Sequence, residues 1–258
     1  MSTALRDIVR FLDDELRTAD IPDYPPALNG LQLDGKDVVQ RVAAAVDFSS
    51  LTVAEAIGRG AELLLVHHGM FWSGPARLTG PGYERLASAI RAGLAIYSSH
   101  LPLDVHPRLG NNALLAEVLG LTPTGGFARY DRIDVGVRGD CDLTTAELVA
   151  RADGFARAHG GGAVATPHDA ARRTARWGIC TGAGASSATL QEAVSLGIDT
   201  MIVGEGPHHT AVQAADLGIV VIYAGHYATE TLGVRALAAE LTERFGVESS
   251  FIEAPTGL

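Results

Sequence analysis

The stretch whose pattern decides the fold is residues 62–100, ELLLVHHGMFWSGPARLTGPGYERLASAIRAGLAIYSSH. It opens on a short apolar run, ELLLV, passes through PGYERLASAIRAG, which has a helical pattern and closes on glycine, and returns to a second run, LAIYSS. Short apolar runs bounded by turn residues read as buried strands, and the longer periodic segment between them reads as a helix. The order strand, helix, strand implies a largely parallel or mixed sheet flanked by helices.

Working outward, RVAAAVDF (41–48) is a further apolar strand, with Ser49 and Ser50 as candidate N-caps for the helix LTVAEAIGRG. The N-terminal segment spaces Leu5, Ile8, Val9, Leu12 and Leu16 along one helical face. A Pro- and Gly-rich loop, IPDYPPALNGLQLDG, separates that helix from the first strand. Downstream, NNALLAEVLG is a helix that stops at Gly120.

LTPTGGFARYDR then shows no clear periodicity and is read as a boundary near residue 125, giving an N-terminal lobe over 1–125 and a C-terminal lobe over 126–258. The second half alternates in the same way. RIDVGVRG, ARWGICTG, DTMIVGE, IVVIYAG and VESSFIE are its strands, and TTAELVARADGFARA, SATLQEAVSLG, HTAVQAADLG and ETLGVRALAAELTERF its helices. GAELLLVHHG echoes GIDTMIVGEG, and LAIYSSH echoes IVVIYAGH, each of the latter pair ending on a histidine. The expected fold is therefore α/β, as two similar lobes with mixed sheets flanked by helices.

With 258 residues, 47% of them hydrophobic, the chain can bury a full core. Its formal net charge of −10 and pI near 5.3 argue against gripping nucleic acid, which works through clustered Lys and Arg. A cation or a small molecule is the better-matched partner. Two cysteines, Cys141 and Cys180, build neither a disulfide framework nor a thiolate zinc site, and a reducing cytoplasm fits. The N-terminus carries acids early and is not a signal peptide, and no run reaches the roughly 20 apolar residues of a membrane span.

Polar residues collect at strand ends, where open α/β sheets place their ligands. In LLLVHHGMFW the apolar run leads straight into His67, His68 and Gly69. Adjacent strand side chains point to opposite faces, so both imidazoles reach one site only if the strand ends there and the backbone turns, as glycine permits. The competing reading is one histidine bonded to backbone and one solvated. In SSHLPLDVHPRLGNN, Asp104 is the best ligand, since a carboxylate can bridge or terminate a metal pair, although it also suits a turn cap before Pro107. His100 and His106 fit supporting or surface roles.

In YAGHYATE, His226 and Glu230 stand four apart at the start of the last long helix, so imidazole and carboxylate share one helical face. In VGEGPHHT, Glu205 is a candidate general base or substrate contact, while His208 and His209 fit capping or solvent. CTGAGASS is a tight strand-to-helix turn with a weak resemblance to an anion loop, lacking the lysine of a phosphate-binding P-loop. HGGG (159–162) has no accompanying G-x-S-x-G nucleophile elbow, which removes the esterase reading.

Taken in order, NGLQLDG, LLLVHHGMFW, HLPLDVHPRLGNN, CTGAGAS, GE and AGHYATE closely resemble the NIF-three-like dinuclear metal centre family, also named GTP cyclohydrolase type-two homologues, in its compact bacterial form. The resemblance spans nearly the whole chain. It implies that His67, His68 and Asp104 join His226 and Glu230 around two divalent ions, with Glu230 bridging and the metals in the cleft between the lobes. It also implies a ring-like hexamer. Gly69 stands where the family commonly has proline, and HLPLD where it reads H-T-N-L-D, and neither departure removes a ligand.

Three imidazoles and two carboxylates without a thiolate suit Fe, Mn, Zn or Co. The function implied is a metal-dependent hydrolase acting on a nucleotide or related heterocycle, GTP cyclohydrolase-like, with a metal-activated water as nucleophile and Glu205 or His100 moving protons. The alternative is a non-catalytic metal-binding scaffold or interaction protein.

Overall fold

The structure is a computed structural model that describes residues 2–74 and 76–258. In chain order the elements begin with β1 (Thr3–Ala4), α1 (Leu5–Glu15), β2 (Gly30–Leu33), β3 (Val38–Val39) and β4 (Arg41–Asp47). They continue with α2 (Ser50–Gly58), β5 (Leu63–His68), α3 (Gly80–Ala92), β6 (Ala95–Ser98) and α4 (Leu101–Asp104). Next come α5 (Asn111–Val118), β7 (Gly125–Tyr130), β8 (Ile133–Thr144), α6 (Thr145–Ala158), β9 (Val164–Ala165), β10 (Arg173–Cys180) and α7 (Ser187–Ser195). The last are β11 (Thr200–Val203), α8 (His208–Asp216), β12 (Val220–Tyr223), α9 (His226–Phe245) and β13 (Glu248–Phe251).

The chain forms two compact units, Met1–Leu103 with Gly233–Ala254, and Asp104–Leu232 with Pro255–Leu258. In the first unit β13, β4, β5 and β6 run parallel in that order, and β2 closes the edge antiparallel to β6. Parallel strands covered on both faces carry continuous apolar sequence, and all six residues of β5 are buried. Ala43, Ala45, Leu64, Val66 and Ile96 pack with Val53 and Ala56 of α2. Ser49, not Ser50, is the N-cap of α2, sharing a capping box with Thr52.

In the second unit the sheet order is β7-β8-β10-β11-β12-β9, with β10, β11 and β12 parallel and the outer pairs antiparallel. Strand alternation sends Ile202 to one face and Met201 and Val203 to the other. The first face is covered by α5, α6 and the start of α9, the second by α7 and α8. Both sheets are thus mixed and flanked by helices, as the sequence implies.

The division of the chain falls elsewhere than residue 125. Residues 104–124 belong to the second unit because Leu115, Ala116, Leu119 and Leu121 pack into the core around Trp177. The segment read as the boundary contains strand β7, with Phe127 fully buried. Its glycines hide the strand pattern, yet a Cβ at Gly126 would overlap the Asp134 side chain of the facing strand. No helix among the described residues is long and apolar enough to cross a membrane.

Candidate metal centre

In the first unit His67 and His68 are the last residues of β5, and His100 follows β6 by two residues. Their ring centroids lie 4.9 Å (His67 to His68), 4.9 Å (His67 to His100) and 5.7 Å (His68 to His100) apart. One ligand atom of each lies within 4.8 Å of the others, so the three can share a metal ion. All three are buried.

Each ring is held by its Nδ1 edge. His67 Nδ1 is 2.9 Å from the Ser99 carbonyl, which can only accept, so Nδ1 carries a proton and Nε2 is the nitrogen whose lone pair the neutral ring offers. His68 Nδ1 is 2.9 Å from Asp47 Oδ1, and His100 Nδ1 is 2.8 Å from Asp23 Oδ1. An imidazole whose second nitrogen is fixed on a carbonyl or carboxylate is the usual state of a metal-ligating histidine. The donor set therefore fits a borderline divalent ion.

Asp23 lies in the loop after α1. Burial works to raise its carboxyl, but hydrogen bonds from His100, Asn29 and the Leu101 N–H outweigh it and hold the group below its ordinary value. Asn29 also accepts from the His100 backbone N–H at 2.7 Å. Gly69 serves close approach and not a left-handed turn, because a Cβ there would overlap the Gln32 carboxamide.

In the second unit Asp104 is buried and accepts from Asn111 Nδ2 at 2.8 Å. The neighbouring Asn112 accepts from the Thr181 N–H at 2.9 Å and donates to the Val135 carbonyl at 3.0 Å, tying β10 and β8 to the Asp104 segment. His226 opens α9, with Nδ1 2.8 Å from Glu205 Oε1 and Nε2 3.1 Å from Glu230 Oε2. Burial disfavours the imidazolium, but the bonds and charges of Glu230 and Glu205 prevail and raise it to about 9.

Gly182, at φ +61°, lies so close that a Cβ would overlap Glu230 Oε1 and stand 3.4 Å from His226 Nε2. Its N–H donates to Thr229 Oγ1 at 3.1 Å. Cys180 sits below this turn, where burial and the charges of Asp104 and Glu230 push its thiol up to about 12, leaving it protonated. The turn CTGAGASS is thus a packing turn, with Ser186 capping α7 and Gly182 making room for Glu230.

The structure groups His67, His68 and His100 in one unit, and Glu205, His226 and Glu230 in the other, where Asp104 is also buried. His106 instead accepts from the Arg108 and Leu109 N–H groups, and His208 and His209 are exposed at the start of α8. Sequence reading missed Asp23, Asn29, Asp47, Asn111, Asn112, Thr229 and Gly182 as members of the site. Of these, Asp23 and Asp47 lie outside every motif quoted for the resemblance, whereas Asn29, Asn111, Asn112, Gly182 and Thr229 lie inside one.

These features define an α/β protein whose strand ends carry histidine and carboxylate groups able to hold metal. The chain belongs to the Duf34/NIF3 (NGG1p interacting factor 3) family, whose profile matches residues 3–256. It is 42% identical over 258 residues to the GTP cyclohydrolase 1 type 2 homolog of Deinococcus radiodurans, covering 98% of this chain and 94% of the relative. A solved structure described as protein ybgI, of unknown function, superposes with TM-score 0.89 at 32% identity, covering 99% of this chain and all of that one (100%). TTHA1606 from Thermus thermophilus gives 0.84 at 34% identity, with 99% and 100% covered.

Proposed function

We propose that His67, His68, Asp104, His226 and Glu230 hold two divalent ions, drawn from Fe, Mn, Zn or Co, and that the chain is a metal-dependent hydrolase of a nucleotide or related heterocycle. The observation that carries this reading is the fixing of the buried His67 and His68 imidazoles by Nδ1, which presents Nε2 of each as the ligating atom. The names of the curated relatives, GTP cyclohydrolase 1 type 2 homolog, supply the substrate class. Bound there, two ions supply Lewis acidity and a water of lowered pKa.

The chain's own residues do the rest. Asp47, Ser99 and Glu205 orient the imidazoles of His68, His67 and His226. Asn111 fixes the Asp104 carboxylate. His100, paired with Asp23, and Glu205 are the groups we assign to proton transfer. Both cysteines are free, which agrees with a reducing cytoplasm, where we place the chain. We further propose a closed homohexamer, in line with the usual closed symmetry of soluble homo-oligomers.

The test is turnover by metal-loaded protein over a panel of nucleotides and phosphoesters. Turnover that His67→Ala abolishes supports the hydrolase. Inactivity of fully loaded protein across the panel overturns it in favour of a metal-binding scaffold.

A further inference from the structure

Beside the three imidazoles of the first unit stands an aromatic surface that metal binding alone does not use. The Trp72 ring lies 4.5 Å from the His100 centroid and 5.0 Å from that of His68. Tyr24 meets Trp72 edge to face at 6.4 Å and lies 6.1 Å from His100. Trp72 nonetheless keeps 38% of its surface exposed and Tyr24 47%. Large aromatics are ordinarily a protein's main apolar payload for burial. Two rings this exposed beside a buried cluster of imidazole nitrogens have the make-up of a ligand wall, apolar faces beside a few convergent polar atoms.

The two rings sit on separate loops, and one side chain ties those loops together. Gln32 Oε1 accepts from the Met70 N–H at 2.6 Å, at the start of the turn that carries Trp72. Its Nε2 donates to the Ala27 and Leu28 carbonyls, both at 3.0 Å, in the segment that follows Tyr24. The Trp72 turn is closed by the Gly74 N–H to the Phe71 carbonyl at 2.7 Å. Gly69 lets the carboxamide approach. The wall is therefore set before any ligand arrives, which lowers the ordering cost of binding.

We propose that Trp72, with Tyr24 set edge-on beside it, forms a stacking platform for a planar heteroaromatic ring, so that this site selects its ligand by a flat ring face. The proposal rests on the metal-site reading above and narrows its substrate class. Ring-on-ring stacking tolerates different edge chemistries, because every heteroaromatic ring has a π face. A sugar phosphate has no such face and gains no ring-on-ring stacking.

The chain has two tryptophans, and Trp177 is fully buried, so ligand-dependent emission changes report Trp72. Full-length, metal-loaded protein is titrated with GMP by fluorescence, and with GMP, FMN and ribose 5-phosphate by calorimetry. GMP is expected to quench Trp72, and both ring compounds to bind at least about 10-fold more tightly than ribose 5-phosphate. Trp72→Ala is expected to weaken GMP by about 10- to 100-fold, and Trp72→Phe by no more than about threefold, with metal content unchanged in both. Ring compounds that fail to bind below about 1 mM, ribose 5-phosphate binding as tightly as GMP, or an undiminished Trp72→Ala affinity would each overturn the platform. Elemental analysis separates the two readings: rings bound without metal sinks the metal centre alone, and metal bound without rings sinks the platform alone.

Discussion

Asp47 Oδ1 lies 2.9 Å from His68 Nδ1, and the two residues are direct register partners on neighbouring parallel strands, β4 and β5. The sheet itself thus delivers a carboxylate to the back of an imidazole proposed as a ligand. Such partners fix ring orientation and raise ligand basicity, and their loss typically costs about 10- to 100-fold in metal affinity. Asp47→Asn should therefore weaken metal by that factor in a chelator competition while the fold survives. Unchanged affinity would show that the Asp47 carboxylate does not support His68 in metal binding.

Gly182 tests the other unit. An alanine there must adopt φ +61° and place its Cβ against Glu230 Oε1. The backbone alone costs roughly 1–2 kcal/mol, and Glu230 must also move. Gly182→Ala should lower the melting temperature and the metal content together. A variant that is destabilised but fully loaded would mean that Glu230 holds no ion.

His226 sets a pH dependence. In metal-free protein burial opposes its charge, but Glu230 and Glu205 raise it to about 9, above an unfolded value of about 6.5. A raised folded value stabilises the protein fully below pH ~6.5, and that stabilisation is lost as pH rises through about 9. The whole difference is ~3 kcal/mol at most. Metal-free protein should lose thermal stability over that interval, and His226→Gln should flatten the loss. A wild-type profile with no such fall would contradict the charge assignment.

The alternation at 62–100 was readable because buried parallel strands are continuous apolar runs, and because capping serines and closing glycines mark helix ends. The histidines and acids at those strand ends were readable for the same reason. Their partners were not. Asp23 lies 77 residues from His100 and Asp47 lies 21 from His68, and only the folded sheet pairs them. The division of the chain was hidden too. It falls between Leu103 and Asp104 at the end of α4, and again between Leu232 and Gly233 inside α9, where helical sequence runs on without a break.

The proposed hexamer predicts a light-scattering mass, after size exclusion, near six times the 26.9 kDa chain. A dominant monomer at micromolar concentration would remove the ring and leave the metal centre untouched.

The central claim is the two-metal site, and metal stoichiometry tests it most directly. Elemental analysis of protein purified without chelator and then reconstituted should give about two divalent ions per chain, as a dinuclear centre requires. With Glu230 as the proposed bridge, Glu230→Gln should lose more metal than Asp104→Asn, since a bridging carboxylate would hold both ions. A reconstituted protein that carries less than about one ion per chain contradicts the account.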